Sequence, residues 1–368
     1  MKILITEKQF EKFKSEVDEA LGVPEGILEV GEKLYDRIID ELKKYTGNID
    51  DLSNEEFEIS EEFKISDHIF NKVIFKFDVQ KMFNLPKPDM VGMSSENECE
   101  LTDTLVFKSV RNPQEVVIGF KFFIPEDGDV KDIISYLEKY RKEDISSLTH
   151  ELQHAFIDVK QKVETLKQRT SYIAPQQMKS LLGFIPEINE FMYNSYFIHA
   201  IENVVRPTEL AAQLRINNVS KKEFLKFFMD NEIVKRLKEI QNFNYGEFKE
   251  KISRPENILL IKHLFKSIGI KYGKKSNEEI VNEFLRLVVV NYTNTKNDLM
   301  NKFLTSDFFE EMFGLSGDKD KLFRKYVSQT TKYKDDFESF FRNEEKYFHE
   351  VSTMMIKKLS KLYAMLKK

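Results

Sequence analysis

Thr149-His150-Glu151-Leu152-Gln153-His154-Ala155-Phe156-Ile157-Asp158 places two imidazoles one helical turn apart, with a carboxylate beside the first. Residues four apart share a helix face, so the Nε2 atoms of His150 and His154 can converge on one cation, with Glu151 about 100° round the helix. Zinc suits such ligands and the hydrolytic chemistry of a neighbouring carboxylate. Working outward, Ile145, Leu148, Leu152, Ala155, Val159, Val163 and Leu166 recur at three- and four-residue intervals. That spacing predicts a helix of about 20 residues whose apolar stripe lies opposite the histidines. The competing reading is a surface helix whose two histidines merely face solvent.

The segment His150-Glu151-Leu152-Gln153-His154-Ala155, followed by Asp158, resembles the active-site helix of the zincin metallopeptidases, and within them of the thermolysin-like gluzincins. The resemblance covers about ten residues plus a short stretch near Glu209. It implies one Zn2+ per chain, His150 and His154 as ligands, and Glu151 as the general base that activates a zinc-bound water against a peptide bond.

Composition sets the frame. The 368 residues are 41% hydrophobic and 32% charged, enough for a sizeable core and, by length, about two domains. A net charge of −5 gives no general attraction to nucleic acid. Cys99 is the single cysteine, so no intrachain disulfide forms and nothing points to an oxidising compartment. The opening Met1-Lys2-Ile3-Leu4-Ile5-Thr6-Glu7 has too short an apolar run for a signal peptide, and no stretch suits a membrane span. The expectation is a cytoplasmic protein. The same opening resembles those of proteins from large tailed bacteriophages, which implies a host cytoplasm or a virion.

The fold class expected is α+β. Residues 1–60 read as helical, with Thr6 as an N-cap and Leu34, Ile38, Ile39 and Leu42 forming an apolar stripe in a helix that starts near Pro24 and ends at Gly47-Asn48. Residues 61–215 read as a zincin-like core. In it Val73–Phe77, Thr104–Val110 and Glu115–Phe123 are β-branched and aromatic strands, the last two joined at Arg111-Asn112-Pro113-Gln114 as a hairpin. In the zincin resemblance an edge strand of such a small antiparallel or mixed sheet holds a peptide substrate through backbone hydrogen bonds. Ile133, Ile134 and Leu137 mark a helix just before the metal-binding one, which Asp144 caps unless the two run on nearly continuously. Pro175, Gly183 and Pro186 punctuate residues 167–189, read as an irregular insertion able to act as a lid.

A catalytic zinc needs a third protein ligand and an open position. The candidates downstream are Glu190, His199, Glu202 and Glu209. Glu209 is favoured because Arg206-Pro207-Thr208-Glu209-Leu210-Ala211-Ala212 reads as a helix opened by proline, with small residues that permit close packing. The segment resembles the third-ligand helices of gluzincin-like families. It departs from the thermolysin pattern at Gln213, where an Asp would orient a histidine; Asp158 is the alternative for that role. Tyr193, Tyr196, His199 and Arg206 are candidates to stabilise an oxyanion.

Residues 216–368 read as a helical domain broken at Gly273 and Gly314-Leu315-Ser316-Gly317. Its terminal stretch, with Met354, Met355, Leu359, Leu362 and Leu366 apolar and lysines opposite, suits docking on the core or on a protein partner rather than a membrane. The expected function is a zinc metallopeptidase acting on a protein or peptide. The alternatives are a structural or virion-associated cargo protein that keeps a zincin-like fold, and a protease dedicated to one target through its helical C-terminal region.

Overall fold

The computed structural model describes residues 23–82, 99–108, 112, 114–156, 162–305, 319–330 and 336–366. Helix α1 (Ile27–Lys44) leads through a 3-10 turn into β1 (Glu56–Ile59), β2 (Phe63–Ile65), β3 (His68–Phe70), β4 (Lys72–Met82), β5 (Glu100–Lys108) and β6 (Glu115–Pro125). Helices follow: α2 (Val130–Lys139), α3 (Arg141–Phe156), α4 (Lys162–Leu182), α5 (Pro186–Phe197), α6 (Ala200–Ile216), α7 (Phe224–Asp230), α8 (Glu232–Gln241), α9 (Tyr245–Ile252), α10 (Pro255–Ser267), α11 (Asn277–Thr305), α12 (Lys319–Thr330) and α13 (Phe337–Ser360). The chain is mixed α and β, mostly helical with a small sheet, and it divides into two compact units. The first comprises Met1–Asp158, Val205–Phe227 and Lys358–Lys368; the second comprises Val159–Val204 and Phe228–Lys357. No helix among the described residues is long and apolar enough to cross a membrane.

The first unit is built on a four-stranded sheet of order β1-β4-β6-β5, in which β4 and β6 are parallel and the outer pairings antiparallel. The β5–β6 hairpin lies where the residue pattern predicts it, and Asn112 shapes its turn by accepting from the Gln114 N–H. Register puts Val73 opposite Val116, Phe75 opposite Ile118 and Phe77 opposite Phe120, so one sheet face is a continuous apolar surface. Strands β1, β2 and β3 went unread in the sequence because each is three or four residues long, too short for alternation to declare itself.

Helix α1 runs where Leu34, Ile38, Ile39 and Leu42 predict, and all four are buried. It stops at Lys44, three residues before Gly47. Its start is set by Gly26, whose φ of 80° is a left-handed conformation that a side chain would strain. Thr6 lies outside the described residues.

Helices α2 and α3 are nearly continuous, joined at Tyr140, so Asp144 sits inside the first turn of α3 rather than capping it. A reciprocal capping box, Asp129 with Asp132, opens α2 instead. Helix α3 spans 16 residues and ends at Phe156. Val163 and Leu166 belong to a separate helix, α4, and Asp158 and Val159 lie outside the described residues. The expected one-sided stripe is also corrected: Asp144, Ser146, Thr149, His150 and Gln153 are buried along with Ile145, Leu148 and Leu152. Burial of helix α3 thus extends beyond its apolar face onto part of its polar one, while Glu143 and Ser147 are exposed and Glu151 and His154 part-exposed.

The second unit is helical throughout its described residues. Residues 167–189, expected to be irregular, are mostly helix, because α4 continues through Pro175. An interior proline forfeits one helical hydrogen bond and costs about 3 kcal/mol. Full burial of Ala174 and Met178 offsets this, with Ala174 in a cluster formed with Leu299, Met300, Phe303, Leu304 and Tyr326. Phe191 is a second centre, with Phe243, Phe248, Phe341 and Phe348 all within 5.7 Å of it, ring centre to ring centre. In the terminal stretch Met355, Leu359 and Leu362 are buried within the chain, whereas Met354 is exposed. Gly314 to Gly317 lie outside the described residues.

Candidate metal centre

Three contacts from α1 set the position of α3. Asp36 receives a two-pronged hydrogen bond from Arg141, at 2.8 and 3.0 Å. The Tyr35 hydroxyl donates to Asp144 Oδ2 at 2.7 Å. Gly31 lets α1 approach so closely that a Cβ there would collide with the Thr149 hydroxyl, which itself donates to the Ile145 carbonyl at 2.6 Å. The rising numbers on α1 meet falling numbers on α3, so the two helices run antiparallel. At its far end α3 is held by Phe156, stacked on Phe70 of β3. The helix that carries the histidines is therefore held at both ends and, through Thr149, next to His150.

Burial dominates the titration of this support. Desolvation raises the Asp144 pKa to about 6, against which the Tyr35 hydrogen bond lowers it and the Glu143 charge raises it. The Tyr35 hydroxyl is pushed up by burial and then by the Asp144 charge.

On this helix His150 Nε2 and His154 Nε2 face each other at 3.0 Å. Glu151 lies alongside, its carboxylate 3.9 Å from His150 Nε2. Ligand atoms of His150, Glu151 and His154 all fall within 4.8 Å of one another, and the group could hold a metal ion. The spacing fits: Zn–N bonds of about 2.05 Å at a tetrahedral angle would set two nitrogens about 3.3 Å apart. Right-angled coordination at the same bond length gives about 2.9 Å, so the 3.0 Å separation suits a cation without selecting which.

Glu209, favoured in the sequence as the third ligand, is brought to the histidines from their outer side. Its Oε2 lies 3.0 Å from His150 Nδ1, the ring nitrogen facing away from His154. The same oxygen accepts from Arg206 at 2.6 Å, and Ser146 donates to the Glu209 backbone carbonyl at 3.2 Å. Burial works to raise the Glu209 pKa, but the Arg206 charge and the His150 hydrogen bond bring it down to about 2. A carboxylate so placed accepts a hydrogen bond from Nδ1–H, which keeps the proton on that nitrogen and leaves the Nε2 lone pair of His150 available.

Helix α6 also corrects an expectation. Pro207 does not open it; the helix starts at Ala200 and Pro207 lies in its interior. Val205, Leu210, Ala211, Ala212 and Leu214 are buried around it, the small residues among them where close packing was expected.

The other candidates have different surroundings. Glu190 is half exposed, 3.7 Å from Arg236. Within the second unit, Tyr172 donates to Glu202 Oε1 at 2.9 Å, and its hydroxyl is 3.0 Å from that of Tyr196. His199 Nδ1 accepts from the Ile201 N–H at 3.3 Å, which makes His199 a cap for α6. Burial, and then the Lys296 charge, lower the His199 pKa to about 4, with Glu202 opposing. Arg206, a candidate for the oxyanion, points its Nη1 at Glu209; Tyr193 is exposed, with the Arg236 guanidinium 4.9 Å over its ring. Cys99 is buried, and desolvation pushes its thiol up to about 12, so it is no reactive thiolate.

No protein-family model, no curated protein and no solved structure matches this chain.

Proposed function

We propose that the chain is a zinc-dependent hydrolase acting on peptide bonds, with His150 and His154 as metal ligands through Nε2 and Glu151 as the general base. The observation that carries this reading is the convergence of the two Nε2 atoms at 3.0 Å with a part-exposed carboxylate beside them, on a helix most of whose residues are buried. A structural metal site has no use for a spare carboxylate. A bound zinc would supply a Lewis acid that polarises a carbonyl and brings the pKa of water toward 7.

The chain's own residues do the rest. Glu209 holds His150 by Nδ1 and Arg206 holds Glu209, so both act as positioning residues in this reading. Glu151, part-exposed beside His150, takes a proton from the attacking water and returns it to the leaving amine. The compartment goes with the substrate, a protein or peptide met in the cytoplasm.

The test is Glu151→Gln. The variant should keep bound zinc and lose hydrolysis of an unstructured protein such as casein by at least about a hundredfold, the scale of a removed general base. Unchanged hydrolysis would remove Glu151 from the mechanism.

A further inference from the structure

The second unit encloses charges that the metal centre does not use. Lys296 of α11 and Glu344 of α13 stand within range of each other's field. Burial lowers the Lys296 pKa and the Glu344 charge opposes the change; burial raises Glu344 to about 7 and the Lys296 charge opposes that. Yet among the described residues neither side chain forms an ion pair or a hydrogen bond, with the other or with a third group. For opposite charges withdrawn from water, direct contact with well-formed hydrogen bonds is the arrangement that offsets the desolvation. Both side chains also keep part of their surface open to solvent. Groups enclosed deeply enough for desolvation to govern them, and still reached by solvent, line a crevice rather than a packed core.

The crevice is charged differently at its two ends. Beside Glu344 are Tyr292 and Tyr347, whose hydroxyls are pushed up by burial and then by the Glu344 charge. The Tyr292 ring packs 5.7 Å from Phe340, which joins α11 to α13 here, and Lys296 Nζ lies 5.4 Å from the centre of the same ring. The other neighbour of Lys296 is His199, which registers the Lys296 charge and not that of Glu344. Because His199 Nδ1 accepts from the Ile201 N–H, its proton sits on Nε2, for which no partner exists among the described residues. One end is therefore a carboxyl group flanked by tyrosines, and the other offers an ammonium and an imidazole N–H.

We propose that this crevice binds a small zwitterion of the α-amino-acid class, its carboxylate on Lys296 and the His199 Nε2–H and its ammonium on Glu344 beside Tyr292 and Tyr347. A simple anion would satisfy Lys296 and leave Glu344 facing a like charge; a simple cation would do the reverse. A ligand that carries both charges gives each buried group its partner, and an ammonium beside two tyrosine rings gains from their faces as well. The proposal is independent of the peptidase reading and uses none of the metal-centre residues.

Isothermal titration of the full-length protein with each common L-amino acid tests this. At least one should bind, and its two truncated analogues, the acid without the amino group and the amine without the carboxyl group, should each bind about tenfold or more weakly. Lys296→Met and Glu344→Gln should each weaken the same amino acid by a similar factor, with thermal melts no lower than that of wild type. Free amino acids also chelate zinc, so the titration is repeated on His150→Ala, where binding should be unchanged. Failure of every amino acid to bind would overturn the proposal, leaving Lys296 and Glu344 as a solvent-separated pair. Equal binding of the truncated acid, or inorganic phosphate binding in its place, would overturn it in favour of an anion site. Binding lost in His150→Ala, or indifferent to both crevice substitutions, would place the ligand elsewhere and overturn it too.

Discussion

The two units of this chain put their buried residues to different uses. In the second, Phe191 gathers four other phenylalanines and a further cluster surrounds Ala174, while the buried polar residues, among them Thr170, Asn194, Glu202, Asn257 and Thr293, are spread over several helices. In the first, the sheet supplies an equally apolar face, yet α3 brings Asp144, Ser146, Thr149, His150 and Gln153 inside with it. Burying polar groups costs stability unless each finds a partner. Tyr35, Ser146, Arg206 and Glu209 supply such partners, and together they aim a histidine. The contrast separates packing that holds a fold together from packing that holds a helix in one orientation.

The largest effect should come from breaking the apolar side. Phe191→Ala should destabilise the protein by about 3–5 kcal/mol, the usual cost of emptying a buried aromatic site. Denaturant melts check the loss, and metal affinity below the transition should stay at the wild-type value. A loss under about 1 kcal/mol would mean that the aromatic cluster is not the anchor of its unit.

On the polar side, Asp144 exposes the cost of directional burial. Its folded pKa of about 6 lies above the ordinary 3.8, so the folded state holds this proton more tightly. The stability this provides is complete below about pH 4 and is lost as pH rises through 6. Asp144→Asn, which keeps an acceptor for Tyr35 without the charge, should be up to about 3 kcal/mol more stable than metal-free wild type at pH 7, a shift of about two units at 1.36 kcal/mol each. The gain should fade as pH falls toward 4. A variant equal to wild type across pH 4–8 would show that Asp144 is not buried as a charge.

Glu209→Gln is the smaller and more pointed change. It keeps an acceptor for His150 Nδ1 but removes the negative charge that Arg206 faces. A positioning role predicts metal binding weakened about 10- to 100-fold with unchanged stoichiometry, measured by competition with a chromophoric chelator. Complete loss of binding would instead make Glu209 a direct ligand.

That distinction was beyond the sequence. The spacing of His150, Glu151 and His154 was legible because a helix turns local separation into a shared face, and the β5–β6 hairpin was legible because its strands alternate on either side of a proline turn. Glu209 was legible as a partner of the histidines, but which nitrogen of His150 it meets depends on how α6 lies against α3. Gly31 gave no signal at all: its importance is the Thr149 hydroxyl, 118 positions away in the chain. Pro175 and Pro207 misled for the opposite reason. Proline is a strong local breaker, and burial of neighbours such as Ala174, Met178 and Leu210 outweighs it only once the helices are assembled.

The central claim is that His150 and His154 hold a metal. Elemental analysis of protein purified without added metal tests it most directly, on wild type and on His150→Ala, with circular dichroism to establish that both are folded. The account predicts about one zinc per wild-type chain and none in the variant. Folded wild type without metal, or a variant that keeps its zinc, would contradict it.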